Sequence, residues 1–288
     1  MSRYSKIIAG CMSWGAWGRQ FSTQEMISQI NITLESGITT FDHADIYGEY
    51  TTEYEFGKAF LKSNVEREKI QLISKCGIQH DGGTRDNKIK HYNYSKEYII
   101  WSVEKSLKDL QTDYIDLLLL HRPSPLMHPN EIAAAVSKLK DSGKIINFGV
   151  SNFTPSQLSL LDNKTSISVN QIEFSLTEHS AMHNGTLDQL FQKNIIPMSW
   201  SPLGSYFKES NAANKRIKKV LDVLTKKYNA SDDQLLLAWI LQHPSGVLPV
   251  VGTTSKVRLE NATKALNINL ELEDWFTLLL ECQGQKVP

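Results

Sequence analysis

Asp42, Tyr47, Lys75 and His121 are side chains that, brought together, could move a proton onto an oxygen. A phenol in water has a pKa of about 10, too high for easy proton exchange at neutral pH. A neighbouring lysine ammonium favours the phenolate and lowers that value. A carboxylate paired with the lysine would fix its position, and a neutral imidazole can donate a hydrogen bond to a carbonyl. The set suits a general acid that protonates an oxygen as negative charge develops on it, with no covalent nucleophile. Asp42 and Tyr47 are close in sequence, in DHADIYG, whereas Lys75 follows IQLIS and His121 follows IDLLLL.

The fold must bring these residues together, and the chain repeats one pattern that would. Short β-rich runs alternate with helical patterns. Candidate strands are Lys6–Ala9, Ile38–Phe41, Ile70–Ser74, Ile115–Leu120, Ile145–Val150, Ser166–Asn170, Ile195–Ser199 and Val247–Val251. Several are continuous apolar runs, which suits parallel strands covered on both faces. Between them, Met26, Ile27, Ile30 and Leu34 share a helical face, after a capping-box pair Ser22/Glu25 and before Gly37. Ile99, Val103, Leu107 and Leu110 share another, as do Ile132, Val136 and Leu139, closed by Gly143. Two further helical stretches fall within about residues 205–246. Eight β-then-α units predict a single-domain α/β fold, a (β/α)8 TIM barrel over residues 1–288. A doubly wound open sheet is the alternative, weakened because no GxGxxG follows the first strand. A barrel collects strand ends at one mouth. Ser151 and Asn152, Gln171, Trp200 and Ser201, and Gly252 and Thr253 follow candidate strands as well.

Composition narrows the function. Lys+Arg and Asp+Glu are both 31, so no global charge attracts a phosphate backbone and nucleic-acid binding is not expected. The longest apolar runs are too short to cross a bilayer, and no cleaved signal is read at the N-terminus. Cys11, Cys76 and Cys282 have no zinc spacing and are read as free thiols, which points to a cytoplasmic protein.

The chain resembles the aldo-keto reductases across nearly its whole length. FDHADIYG, ISKCG, LLLLHRP, GKIINFGVSNF, NQIEFS and SWSPLG carry the resemblance in order and spacing, between GCMSWG and GTTSKVRLEN. The closing WFTLLLECQGQKVP is similar to a bacterial branch of general oxidoreductases in that family. The resemblance implies reversible NADPH-dependent reduction of a small aldehyde or ketone to an alcohol. It makes Tyr47 the general acid/base, with Lys75 and Asp42 tuning it and His121 orienting the carbonyl. It implies that Ser151, Asn152 and Gln171 hold the nicotinamide carboxamide and that Trp200, where many relatives have Tyr, stacks on the ring. Ser201, Leu203 and Ser205 would line the pyrophosphate. Gly252, Thr253, Thr254, Lys256, Arg258 and Asn261 would surround the adenosine phosphate end, with NADPH preferred to NADH because Lys256 and Arg258 supply two cations. Gly10, Cys11 and Met12 match the first-strand segment, with Met12 where many relatives have Trp. The RLEN spacing is shorter than in many relatives, which leaves the adenine contact open. A binding reading competes with the enzyme: the same fold can sense a nicotinamide cofactor with slow or no catalysis.

The segment GIQHDGGTRDNKIKHYNYS after Lys75 is long for a βα loop, where about two to six residues are usual. It is expected to reach over the mouth and select substrates, with Gly82–Gly83 as a bend and His80, Arg85, Lys88, Lys90, Tyr92 and Tyr94 as its equipment. Its cations would favour a carboxylate or another polar tail. Other signals are weak. Tyr92/Lys96 has a short-chain-dehydrogenase spacing without that family's glycine-rich turn. His179/His183 has a metal spacing without further ligands, so no metal is expected. His43 and Cys76 read as buried residues, and KRIKK at 215–219 as a solvated helix face.

Overall fold

The computed structural model describes residues 4–81 and 85–286, so Gly82–Gly83 lie outside the described residues. Eight parallel strands close into a barrel: β1 (Ile8–Gly10), β2 (Thr40–Asp42), β3 (Gln71–Cys76), β6 (Ile115–Leu120), β7 (Ile145–Ser151), β8 (Val169–Glu173), β9 (Ile196–Trp200) and β10 (Leu248–Val251). β10 returns to pair with β1, Ile8 opposite Val250. β4 (Ile78–Gln79) and β5 (His91–Tyr92) form a separate antiparallel hairpin between β3 and β6. The helices are α1 (Thr23–Glu35), α2 (Tyr47–Tyr50), α3 (Thr52–Lys62), α4 (Lys96–Leu110), α5 (Pro129–Asp141), α6 (Pro155–Asp162), α7 (Thr186–Gln192), α8 (Ala212–Tyr228), α9 (Asp232–Leu241), α10 (Lys256–Lys264) and α11 (Leu272–Gln283). Among the described residues, no helix is long and apolar enough to cross a membrane.

The helical patterns form as their residues dictate. Ser22 and Glu25 close the capping box of α1, and Met26 and Ile30 on its inner face are fully buried. Gly37 follows at φ +78°, where its N–H caps Leu34 O. Ile99, Val103, Leu107 and Leu110 are buried along α4, and Ile132, Val136 and Leu139 along α5.

Strand alternation splits the core in two. Ile8, Ile73, Leu117, Leu119, Val169, Met198, Leu248 and Val250 fill the barrel interior. The residues between them, such as Phe41, Leu72, Leu118, Phe148 and Ile172, face the helices. One step beyond the inner apolar layer, the same alternation turns Asp42, Lys75, Ser151, Gln171 and Trp200 toward the mouth. Several expected strand bounds need correction here: Asp42, Ser151 and Trp200, expected just after their strands, are the last residues of β2, β7 and β9. The strand expected over Ser166–Asn170 begins at Val169, and Gln171 lies inside β8 as an inward residue instead of after it. Lys75 likewise lies within β3, which runs on to Cys76.

Candidate active site

Lys75 organises the mouth. Its Nζ donates to Asp42 Oδ2 at 2.8 Å, to the His43 carbonyl at 2.8 Å and to the Tyr47 hydroxyl at 3.0 Å. Three acceptors satisfy all three ammonium protons. Lys75 is 1% exposed and Asp42 3%. Burial works against the ammonium, but the Asp42 carboxylate and then Tyr47 outweigh it and hold the Lys75 pKa above its usual value. The second Asp42 oxygen, Oδ1, accepts from Gln171 Nε2 at 2.9 Å.

Tyr47 is placed by a tight backbone. It follows β2 on α2, where Gly48 and Glu49 adopt left-handed angles. A Cβ on Gly48 would lie 2.4 Å from Thr52 Oγ1, so this turn requires glycine. The Tyr47 pKa departs from the simple expectation that the cation lowers it. Burial raises it, and this outweighs the downward pull of Lys75. The phenol therefore stays protonated at neutral pH. Because Lys75 donates to the phenol oxygen, the phenol's own proton is left for another acceptor. His121 follows β6, with its ring 6.0 Å from that of Tyr47 and nearly perpendicular to it. Burial, then Lys75, Arg122 and Lys90, push its pKa well below the ordinary value, so the imidazole is neutral. The arrangement thus presents a neutral acid and a neutral donor beside a fixed cation.

The other rim residues form a connected patch. Ser151 Oγ donates to Gln171 O at 2.9 Å, Asn152 Nδ2 to Ser151 Oγ at 2.8 Å, and Trp200 Nε1 to Asn152 Oδ1 at 3.0 Å. Asn152 takes φ +59°, which turns its amide back onto the rim. Arg122, unremarked in the sequence reading, joins them. It donates to His121 O and to Ser151 Oγ, at 3.2 and 3.3 Å, and its guanidinium lies 5.4 Å from the Trp200 ring centroid. Trp17, also missed, stands 6.1 Å from the Tyr47 ring and 5.7 Å from His80, with its N–H on Glu49 Oε1.

A second opening of about 290 Å³ lies beside the β10 end, lined by Ser13, Gly18, Arg19, Gly252, Thr253, Thr254, Ser255 and Arg258. Arg19 Nε donates to Thr254 Oγ1 at 3.3 Å. Ser255, the N-cap of α10, makes no side-chain cap bond, so the first-turn N–H groups face this opening without that partner. Two guanidiniums, hydroxyls and a helix N-terminus form a donor set that fits phosphate. Arg19 had no signal in its local sequence.

The other expected cofactor residues lie outside the lining of this opening. Lys256 pairs with Glu35 at 3.1 Å and does not line the opening. Cys11 is fully buried in the cluster under the helices, and its thiol bonds Ala9 O. Asn261 lies further along α10, outside the lining. Leu203 packs against the core from its loop, and the Ser205 backbone bonds Thr177 and Asn214. Met12 is 53% exposed, and Ser201 takes φ +51° just after Trp200. Gly10 continues β1 at the mouth.

The weaker signals resolve structurally. His43 packs against Phe56 with ring centroids 4.3 Å apart, and burial pushes its pKa down to about 3. Cys76 faces the helices, and burial pushes its thiol up. His179 bonds Leu176 O through Nδ1 and contacts Gln283 through Nε2. In KRIKK, Ile217 is buried, Arg216 bonds Glu281 O and Lys218 pairs with Asp222.

The loop after β3 is the hairpin β4–β5. Gly77 at its root takes φ +110°, and a Cβ there would fall 1.9 Å from the Tyr94 ring. His80 reaches the mouth through Trp17. Two expected loop residues turn inward instead. Tyr94 is buried, with its hydroxyl on Arg122 O at 2.5 Å, and the Arg85 guanidinium lies over the Tyr50 ring.

A closed parallel barrel with Lys75, Asp42, Tyr47 and His121 at its mouth matches one family, and direct comparison agrees. The profile of the aldo/keto reductase family matches residues 6–278, so the chain belongs to that family. It is therefore an oxidoreductase of the nicotinamide-dependent kind. It is similar to the uncharacterized oxidoreductase YcsN of Bacillus subtilis, 41% identical over 99% of this chain and 97% of that protein. It is 38% identical to a 6-dehydroglucose reductase of Agrobacterium fabrum, over 90% of this chain and 88% of that one. The crystal structure of an aldo-keto reductase from Klebsiella pneumoniae in complex with NADPH has the same fold, with a TM-score of 0.78 at 24% identity, covering 96% and 90% of the two chains.

Proposed function

We propose that the protein reduces an aldehyde or ketone to the alcohol with NADPH, reversibly, with Tyr47 as the proton donor. The observation that carries this reading is the three-way contact of Lys75 Nζ with Asp42, the His43 carbonyl and the Tyr47 hydroxyl. It fixes a protonated phenol at the mouth and leaves its proton available. The cofactor, when bound, supplies a hydride to the carbonyl carbon. Tyr47 gives its proton to the carbonyl oxygen as charge develops there, and takes one back in the oxidation direction. Neutral His121 donates a hydrogen bond to the same oxygen. Ser151, Asn152 and Gln171 hold the carboxamide, and Trp200 supplies a π face. Arg258 and Arg19, with Thr254 and the α10 N-terminus, hold the phosphate end, and the extra phosphate of NADPH suits two guanidiniums.

The substrate is a small carbonyl compound. The similarity to a 6-dehydroglucose reductase supports including sugar aldehydes among those tested. The test is NADPH and NADH oxidation with a panel of aldehydes and ketones, on the parent protein and on Tyr47→Phe. Phe keeps the ring volume and removes the proton. Turnover should fall by about two to four orders of magnitude, the usual general-acid contribution, with cofactor affinity nearly unchanged. Near-normal turnover would remove Tyr47 from the mechanism. Tight cofactor binding with no turnover of any carbonyl by the parent would favour a cofactor sensor.

A further inference from the structure

A second buried charge holds the segment that carries Tyr47. Asp45 lies two residues before Tyr47 and is 5% exposed. Its N–H donates to Lys75 O, and its carboxylate turns to α4, where Oδ2 accepts from Ser102 Oγ at 3.0 Å and from the Tyr98 hydroxyl at 3.5 Å. Oδ1 is buried with no hydrogen-bond partner among the described residues.

Arg85 enters the same slot from the hairpin. Its Nη1 donates to the Tyr98 hydroxyl at 2.8 Å and to Gln79 Oε1 at 3.0 Å. Tyr98 therefore bridges Arg85 and Asp45. The guanidinium carbon lies 3.7 Å from the Tyr50 ring centroid and 5.0 Å from that of Trp101. Nη2 is also buried without a partner among the described residues. Tyr50 belongs to the Tyr47 segment, and its hydroxyl accepts from His80 N at 2.9 Å. His80 in turn faces Trp17, which faces Tyr47. The slot is thus linked to Tyr47 through Tyr50, His80 and Trp17. Holding a half-buried guanidinium and a buried carboxylate in one slot carries a desolvation cost that an apolar contact would avoid, so the slot marks a constraint beyond simple covering.

We propose that Arg85 is a positioning residue for carbonyl reduction. Its guanidinium, seated between Tyr50, Tyr98 and Trp101 and facing Asp45, locks the β4–β5 hairpin to the Asp45–Tyr50 segment and so sets the substrate wall beside Tyr47. This rests on the reading of Tyr47 as the acid. The groups facing Asp45 are Glu53 from α3, Arg85 from the hairpin, Tyr98 from α4, Tyr50 from α2, Cys76 from β3 and Tyr94 at the hairpin base. Burial pushes the Asp45 carboxyl up to about 7, Glu53 adds to this and Arg85 opposes it. Burial pushes the tyrosines and the cysteine upward, so they stay neutral near pH 7. The lock is engaged when Asp45 is ionised, and KM for the carbonyl falls as pH rises through that region.

The experiment compares the parent with Arg85→Met, Arg85→Lys, Asp45→Asn and Arg85→Met/Asp45→Asn. KM and kcat are measured for the same carbonyl panel across neutral pH, together with the NADPH dissociation constant and the melting temperature. Arg85→Met should raise KM about tenfold, the cost of a modest misplacement, with kcat falling less than KM rises and NADPH affinity held within about twofold. Arg85→Lys should restore part of the loss, because an ammonium keeps the charge over the rings. Asp45→Asn should flatten the pH inflection, and the double variant should have a lower KM than Arg85→Met alone. The assignment fails if Arg85→Met keeps the parent KM and pH profile, or if it weakens NADPH as much as substrate. If Arg85→Met does not fold, Asp45→Asn carries the test, and an unchanged inflection overturns the proposal. Tyr47→Phe is assayed alongside. Full turnover there sinks the reading of Tyr47, whereas an unchanged KM in Arg85→Met beside an inactive Tyr47→Phe sinks the Arg85 assignment alone.

Discussion

Replacing Lys75 by Met separates the two tasks of the buried cation. Met fills most of the stem volume and removes Nζ. Three acceptors then lose their donor: Asp42 Oδ2, the His43 carbonyl and the Tyr47 hydroxyl. The Asp42 carboxylate, on a residue 3% exposed, keeps only the neutral Gln171 amide as a side-chain hydrogen bond among the described residues. Breaking a buried ion pair from one side costs about 3–5 kcal/mol, because a buried charge stays behind without its counter-charge. In a chain of this size each kcal/mol lowers the melting temperature by about 2–4 °C, which puts the loss at roughly 6–20 °C. Activity should fall by about two to four orders of magnitude, because the phenol loses the cation that stabilises its anion. Adding Asp42→Asn removes the stranded charge. Lys75→Met/Asp42→Asn should regain most of the lost melting temperature and none of the turnover. Thermal unfolding by circular dichroism, with single-turnover NADPH oxidation, reads both quantities. If Lys75→Met melts like the parent, or if the second substitution brings no recovery, the pair is not held as described.

Two further outcomes follow from the charges. Arg258→Ala should weaken NADPH by about 1.5–3 kcal/mol and NADH by much less, since a charge-assisted contact to the extra phosphate is lost; Lys256→Ala should change neither affinity, because Lys256 faces Glu35. Equilibrium fluorescence titrations with both cofactors check this, and equal losses for the two would remove Arg258 from the extra phosphate. Asp45 has a folded pKa of about 7, raised above its ordinary value, so between about pH 4 and 7 the folded state holds a proton that the unfolded state has released. Its contribution to stability is therefore lost as pH rises through that window, by at most about 1.4 kcal/mol per unit. The urea-unfolding free energy of Asp45→Asn minus that of the parent should rise across pH 4.5–7, and a flat difference would show that Asp45 is not raised.

What was legible in the sequence is what periodicity dictates. Leu117–Leu120 is apolar on both faces, and the strand that contains it keeps the expected bounds Ile115–Leu120. Lys75 and Cys76 are neighbours, yet period-2 alternation sends one into the mouth and the other to the helices, so adjacency could not activate the thiol. The same alternation explains the error in β8, where the inward polar Gln171 and the exposed Glu173 look like the end of a strand that continues through them. Lys256 and Arg258 were read as a pair, but residues two apart on a helix lie about 200° apart around its axis. One can face the opening by β10 while the other faces α1, as Arg258 and Lys256 do. Arg19, Trp17 and Arg122 had no such rule to reveal them, and Arg85, named as part of the long loop, had none to say where it points. Each lies outside the strands and helices, where its direction is set by a partner distant in sequence: Thr254 for Arg19, Glu49 for Trp17, Ser151 for Arg122, and Tyr98 with Tyr50 for Arg85. Asp42, Lys75 and His121, proposed to act with Tyr47, stand at strand ends of a periodic scaffold, and that placement could be read from the chain. The directions of the residues around them depend on tertiary contacts, which only the folded barrel shows.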